Sequence, residues 1–331
     1  MKIKNPKTNN SIEIHSKEGE KLLNHYTNLL NEKKGGNNCK EIKIKSSIKC
    51  DKYPLIDLSN LKLEKNLFKK CKEISFDDNY FSLTINNEKH HLCKYKFISQ
   101  GSYGKIYSIS DINNKYNIAL KTYFNKNDDE IKIVKQLIKK KIDCNLINMR
   151  LFTTQDGETV GIMNLMNGNL DNFQKVTISN IKNIIKQLCE TFIKLLKYKL
   201  VYIDLKAENI LYKCYDNNVI KILLGDLGSL CKKNKNGPLT WCPWEFRKTL
   251  KTKCVESSIV WCLGVVILEL LKHNVDIFHW SSIGNKLKET EIKNKIILSI
   301  NKFKKTIPLL PKILDFDPKK RITLQEIINQ L

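Results

Sequence analysis

The sequence predicts an α+β chain, with a small strand-rich portion ahead of a larger helical one. Two kinds of observation carry this. Short apolar runs at residues 118–120, 161–163 and 220–224 have the length of strands rather than helices. Longer stretches read as helices: one opens at Glu130 with Val134, Leu137 and Ile138 on one face, and residues 259–271 are apolar enough for a buried helix. That second stretch is shorter than the roughly 20 residues a bilayer requires and contains Glu269, so no membrane span is expected. Residues 1–6 lack the apolar core of a signal peptide.

Composition narrows the function classes. The net charge is +24, yet of 58 basic residues only Arg150, Arg247 and Arg321 are arginine. Residues 1–95 hold 19 lysines against 12 acidic residues, and the remainder is about as basic, so the charge is spread rather than gathered into a nucleic-acid-binding arm. Such a field favours acidic substrates, with at most loose contact to nucleic acid or an anionic surface. The lysine, asparagine and isoleucine excess reads as the imprint of an AT-rich genome. The 11 cysteines form no C-x-x-C pair, and Cys189 and Cys262 fall in apolar helical patterns, so reduced thiols and an intracellular setting are expected. Six histidines, His90 and His91 included, show no metal-ligand spacing.

Along the chain, NPKTNNSIEI at 5–14 reads as a turn then a strand, followed by a helical stretch over 20–30 and a Gly35-Gly36 break. Residues 51–92 are mixed, and FSLTI at 81–85 before Asn86-Asn87 predicts a strand or hairpin. SQGSYGKI at 99–106 has small residues where strand, turn and strand must let backbone N–H groups approach phosphates. Lys121 closes the apolar run 118–121, and Glu130 is its natural partner, with Asp128 or Asp129 as alternatives. YIDLKAEN at 202–209 puts a carboxylate, an amine and an amide at the spacing phosphoryl transfer needs: Asp204 to orient an acceptor hydroxyl, Lys206 to steady the phosphoryl group, Asn209 to hold magnesium. GDLG at 225–228 then supplies Asp226 as a second metal ligand.

From about residue 95 to its end the chain resembles a divergent eukaryotic-type serine/threonine protein kinase. Lys121, Glu130, Asp204, Asn209 and Asp226 match that family's motif residues, and Lys206 has its serine/threonine form. PWE at 243–245 resembles the end of the activation segment and DPKKRIT at 317–323 the family's closing motif, which implies a buried Glu245–Arg321 pair. The resemblance implies a bilobal fold with a β-rich N-lobe over 95–166 and a helical C-lobe over 167–331. It also implies use of ATP and Mg2+ and transfer to protein hydroxyls. Gly101, Ser102, Tyr103, Gly104, Ile106, Ala119, Met163 (as gatekeeper), Asn164, Met166 and Leu211 would border ATP, with Asn169 or Asp171 at the ribose.

Residues 1–40 resemble in part the two-cysteine adaptor module of large DNA viruses, with Cys39 as the late cysteine. This would place the protein in host cytoplasm or virion. Residues 41–94 are expected to pack on the N-lobe or link to it. The chain departs from the family pattern at three places. Tyr202 replaces a histidine, though it still offers a ring to a spine through Val134 and Leu227. Ile203 replaces the arginine before Asp204. In IVWCLG at 259–264, Ile259 stands where an aspartate would anchor the catalytic loop. Two alternatives remain: a pseudokinase scaffold, supported by the missing aspartate at Ile259, and a small-molecule kinase of related fold, which would share the Asp204–Asn209 spacing. The first would keep the fold without chemistry; the second would not be expected to keep the Glu245–Arg321 pair.

Overall fold

In the computed structural model, the described residues are 2–4, 11–13, 58, 62–63, 81–85, 88–101, 104–111, 117–125, 129–142, 144–153, 158–173, 176–214, 220–232, 240–247, 255–279 and 289–331. The chain divides into two units, Met1–Lys49 and Cys50–Leu331. In the first, β1 (Lys2–Lys4) pairs antiparallel with β2 (Ser11–Glu13), Ile3 opposite Ile12. The helical stretch expected at 20–30 and Cys39 lie outside the described residues.

The second unit opens with a seven-stranded antiparallel sheet. Its strands are β3 (Lys62–Leu63), β4 (Phe81–Ile85), β5 (Glu88–Gln100), β6 (Gly104–Asp111), β7 (Asn117–Tyr123), β8 (Met149–Thr153) and β9 (Thr159–Asn164), in the order β3-β4-β5-β6-β7-β9-β8. β4 and β5 form a hairpin, Phe81 opposite Leu92 and Ile85 opposite Glu88, and β5 runs unbroken through residues 94 and 95. β7 lies inside the sheet between β6 and β9, so Ile118, Ala119 and Leu120 are buried, as a central strand's near-continuous apolar run requires.

Helix α1 (Asp129–Lys140) starts on acidic residues and ends on Lys139 and Lys140, the arrangement that suits its macrodipole. It buries Glu130, Ile131 and Val134. Ile138, expected on that face, is instead 40% exposed. Ile138 lies on the same face as Ile131 and Val134 but in the helix's last turn, past the residues that are buried. Residues 145–147 then run beside the larger lobe: Leu224 donates its N–H to the Asn145 carbonyl at 2.8 Å, and Ile147 donates to the Leu224 carbonyl at 2.8 Å.

The larger lobe is built on α2 (Ile178–Lys197), capped at its start by the Thr177 hydroxyl, and α3 (Glu256–Leu270), buried on nearly every side. α4 (Glu289–Phe303), α5 (Leu310–Ile313) and α6 (Leu324–Gln330) complete it. Gly264 lets α3 and α5 touch, because a Cβ there would meet the Leu314 and Ile313 side chains at 2.6–2.8 Å. Two small sheets face the smaller lobe. One has the order β10 (Gly168–Asn169), β12 (Ile210–Cys214), β13 (Ile220–Leu224), and the other joins β11 (Leu200–Tyr202) to β14 (Leu230–Lys232). This is the expected α+β, two-lobed architecture.

No helix among the described residues is long and apolar enough to cross a membrane. Cys189, Cys242 and Cys262 are free thiols, whereas Cys214 and Cys231 are each engaged in a disulfide. The expectation of an entirely reduced chain is corrected there, since spacing along a sequence does not report which thiols folding brings together.

Candidate active site

The site begins at the turn between β5 and β6. Gly101 donates its N–H to the Gly104 carbonyl at 3.0 Å, closing the turn. Gly104 is required by close approach, because a Cβ at that position would collide with the Thr122 carbonyl oxygen. Ser102 and Tyr103 lie outside the described residues. Ile106 pairs with Lys121, and Ala119 sits between Ser108 and Met163 in the sheet register. Met163 is 5% exposed, as befits the expected gatekeeper position, and Asn164 ends β9 opposite Ile118.

Past Met166 the chain re-enters pairing at β10, with Asn169 opposite Leu211. The Asn169 side-chain oxygen is already engaged: it caps the 3-10 turn 170–172, accepting from the Asn172 N–H at 3.3 Å. Asp171 is exposed on that turn. Leu211 lies under Gly225, where a Cβ would approach Leu211 at 3.3 Å.

Lys121 and Glu130 form a direct ion pair, with side chains 10% and 1% exposed. The choice among Asp128, Asp129 and Glu130 is thereby made: Asp129 faces solvent and pairs with Lys132, and Asp128 lies outside the described residues. The other Glu130 oxygen accepts from the Leu227 N–H at 3.2 Å. One carboxylate therefore ties β7, α1 and the backbone just after Asp226 into a single arrangement. Val134, Leu227 and Tyr202 are all buried nearby, and the Tyr202 hydroxyl donates to the Gly225 carbonyl at 2.6 Å. Burial, then the Asp226 and Asp204 charges, push the Tyr202 phenol well above its ordinary pKa, so it remains a neutral donor.

Across the cleft, both Asp204 oxygens are held. One accepts from the Thr240 hydroxyl. The other accepts from Asn209 Nδ2 at 2.9 Å and pairs with Lys206 Nζ at 3.1 Å. Asn209 Nδ2 also donates to the Asp204 carbonyl at 2.8 Å, which closes the loop on itself. Burial works against the Lys206 charge, but Asp204, followed by Glu208 and Asp226, outweighs it and raises the ammonium pKa. Gly225 donates its N–H to the Asn209 carbonyl at 2.8 Å, which brings Asp226 beside Asn209.

Asp226 adopts a left-handed backbone, φ 42 and ψ 68, which an aspartate tolerates better than most residues. Its Oδ2 accepts from the Ser229 hydroxyl at 3.0 Å. Its Oδ1 is buried and has no hydrogen-bond partner among the described residues. A buried carboxylate oxygen without a donor, next to an asparagine amide, suits a hard cation, so these residues fit a magnesium ion.

The Glu245–Arg321 pair is also present. Arg321 reaches the two Glu245 oxygens at 3.0 and 2.9 Å in a fork, and its remaining N–H groups meet the Asp315 and Ser257 carbonyls. The Arg321 side chain is fully buried. Two participants are absent from the motif reading. The Leu227 N–H is invisible to any side-chain motif. Glu269 of α3, whose Oε2 accepts from the Ala207 N–H at 3.1 Å, had one signal: it is a carboxylate near the end of an otherwise apolar helix.

Comparison with known proteins agrees with this arrangement. The protein kinase domain model matches residues 93–331. The chain is 24% identical to serine/threonine-protein kinase MPS1 of Encephalitozoon cuniculi over 44% of this chain and 26% of that protein. It is 26% identical to a putative dual specificity tyrosine-phosphorylation-regulated kinase 3 homolog of Drosophila melanogaster, over 53% of this chain and 23% of the relative. To Aurora kinase C of Mus musculus it is 22% identical, over 70% of this chain and 87% of the relative. The chain thus spans about a quarter of the first two relatives and most of the third. With its two lobes, its paired lysine and glutamate and its matched domain, this chain belongs to the protein kinase family, as a divergent eukaryotic-type member.

Proposed function

We propose that the protein is a serine/threonine protein kinase that moves the γ-phosphate of ATP to protein hydroxyls. The observation that carries this is the joint placement of two clusters. Lys121 is locked to Glu130 on one side of the cleft, and Asp204 is held by Lys206, Asn209 and Thr240 on the other.

In this reading Lys121 binds the α and β phosphates, Glu130 keeps it oriented, and Asp204 aligns the acceptor hydroxyl and receives its proton. Lys206 neutralises charge growing on the transferred group. Asp226 and Asn209 would hold magnesium, which when bound neutralises phosphate oxygens. Gly101, Gly104, Ile106, Ala119, Met163, Asn164, Met166 and Leu211 would enclose the nucleotide, with Asp171 the freer of the two ribose candidates. The backbone capture of Ala207 by Glu269 argues against a scaffold with a slack catalytic loop, and the Glu245–Arg321 brace against a small-molecule kinase. The lysine-rich surface favours acidic acceptors, and the same composition supports a source with an AT-rich genome such as a large DNA virus, in an intracellular setting.

The test is transfer from ATP to a panel of acidic and basic protein acceptors, followed by phosphoamino-acid identification. Phosphoserine or phosphothreonine supports the reading. Phosphotyrosine as the main product would move it towards the dual specificity relatives, and no transfer by folded protein would overturn it.

A further inference from the structure

We infer that Glu269 is the positioning residue that fastens the catalytic loop to the central helix of the larger lobe. The inference rests on the proposed phosphotransfer and deepens it. α3 presents apolar side chains on nearly every side, and Ile259 is 1% exposed, so that position offers the loop no polar group. Glu269 stands one residue before the helix end, where the macrodipole disfavours a carboxylate, so helix stability does not account for it.

Its partner does. Ala207 opens the 3-10 turn 207–209, and the first N–H groups of such a turn have no partner within it. Glu269 Oε2 takes that N–H at 3.1 Å. The bond grips the loop between Lys206 and Asn209, the two residues whose side chains hold Asp204. Thr240 holds the loop separately, through Asp204, so the loop is fastened at two points.

The groups facing Glu269 come from two turns, the second with its N-cap Lys206. Asp171 of the turn 170–172 and Glu208 of the turn 207–209 repel its charge, Lys206 attracts it, and burial is the largest influence, pushing the carboxyl up to about 7. An ionised carboxylate kept in such surroundings costs stability, as is common where position serves chemistry.

Three variants of the full chain test this: Glu269→Leu, which removes the acceptor; Glu269→Gln, which keeps an acceptor without titrating; and Ala207→Pro, which removes the donor. Proline fits at 207 because Lys206 is extended, φ −150 and ψ 160, and the position opens a turn. Leu and Pro variants should lower kcat by about 10- to 100-fold at unchanged KM for ATP, the rate equivalent of one charge-assisted hydrogen bond. The Gln variant should restore most of the rate and lack the rise in kcat through about pH 7 that is expected of the wild type.

Amide hydrogen exchange over residues 203–209 should quicken in the Leu and Pro variants and stay slow in the Gln variant. Unchanged exchange, or quickened exchange with unchanged kcat, overturns the inference. A wild-type chain that transfers no phosphate overturns the proposed function instead, and the exchange measurement still decides the anchor. If the Leu variant does not fold, Ala207→Pro supplies both readouts.

Discussion

Among the described residues each lobe contains a buried ion pair, and the two are built differently. In the smaller lobe a lysine meets a glutamate through a single contact at the cleft, and the second glutamate oxygen is given to the Leu227 backbone. In the larger lobe an arginine meets a glutamate through a fork, and every remaining guanidinium N–H finds a carbonyl. A lysine ammonium keeps donors to offer an anion, whereas Arg321 has none left. In a chain with only three arginines, one stands where a planar, permanently charged fork is needed, and a lysine stands where the proposed function asks a point charge to serve a ligand. The first pair is built for exchange of partners and the second for permanence.

That contrast can be broken most severely at the cleft. Lys121→Met and Asp226→Asn should each lower phosphotransfer by about 10³-fold or more, the scale expected when a phosphate or metal contact is lost. Both proteins should still unfold cooperatively in urea, because Glu130, although buried, keeps the Leu227 N–H as a partner. Autophosphorylation near the wild-type level in either variant would contradict the assignment. Arg321→Leu should act in the opposite way, destabilising the larger lobe by about 3–5 kcal/mol because Glu245 and three carbonyl contacts lose their partner. A neutral Arg321→Leu in denaturant unfolding would remove the distinction between the pairs.

A smaller effect concerns pH. The Glu269 carboxyl is raised from 4.5 to about 7, chiefly by burial, so the folded state binds its proton more tightly than the unfolded chain. Its contribution to stability is present below about pH 4.5 and is lost as pH rises through about 7, with a ceiling of about 3 kcal/mol. Glu269→Gln should remove that loss. Urea midpoints at pH 5 and pH 8 would differ less in the variant than in the wild type, and an equal difference would show that the group does not titrate there.

The motif residues were legible because their chemistry restricts residue type at short range: Asp204, Lys206 and Asn209 lie within six positions and meet as expected. The Glu245–Arg321 pair spans 76 positions, yet arginine scarcity made it visible. Other features depended on packing alone. The pattern of Val134, Leu137 and Ile138 marks the inward face of α1, but how far along the helix that face is covered depends on what packs against it. Asn169 reads equally as a ribose contact or a turn cap, and the structure uses its side-chain oxygen as a cap. The Glu269–Ala207 bond joins residues 62 apart through a backbone donor, which no side-chain spacing encodes.

The smallest expected effect is also a sharp one. Ile203 offers no cation to an activation-segment phosphate, and the two hydroxyl side chains described in that segment are both engaged: Ser229 is 8% exposed and bonded to Asp226, and Thr240 is bonded to Asp204. Thr240→Val should lower kcat by about 10-fold through loss of one hydrogen bond to a charged group. Phosphatase treatment should change activity by less than about twofold, since Ile203 gives a segment phosphate no cation to pair with. A large loss on treatment, traced by mass spectrometry to Ser229 or Thr240, would show that an anion orders the segment after all.

The central claim is that the two halves of the cleft already stand in a working arrangement. Its most direct test is the initial rate of transfer from radiolabelled ATP to a protein acceptor by phosphatase-treated wild-type chain, with magnesium and with a chelator, beside Asp226→Asn. The account predicts magnesium-dependent transfer to serine or threonine by the wild type and none by the variant. Folded wild-type protein that transfers nothing, or transfer that persists in Asp226→Asn, would contradict it.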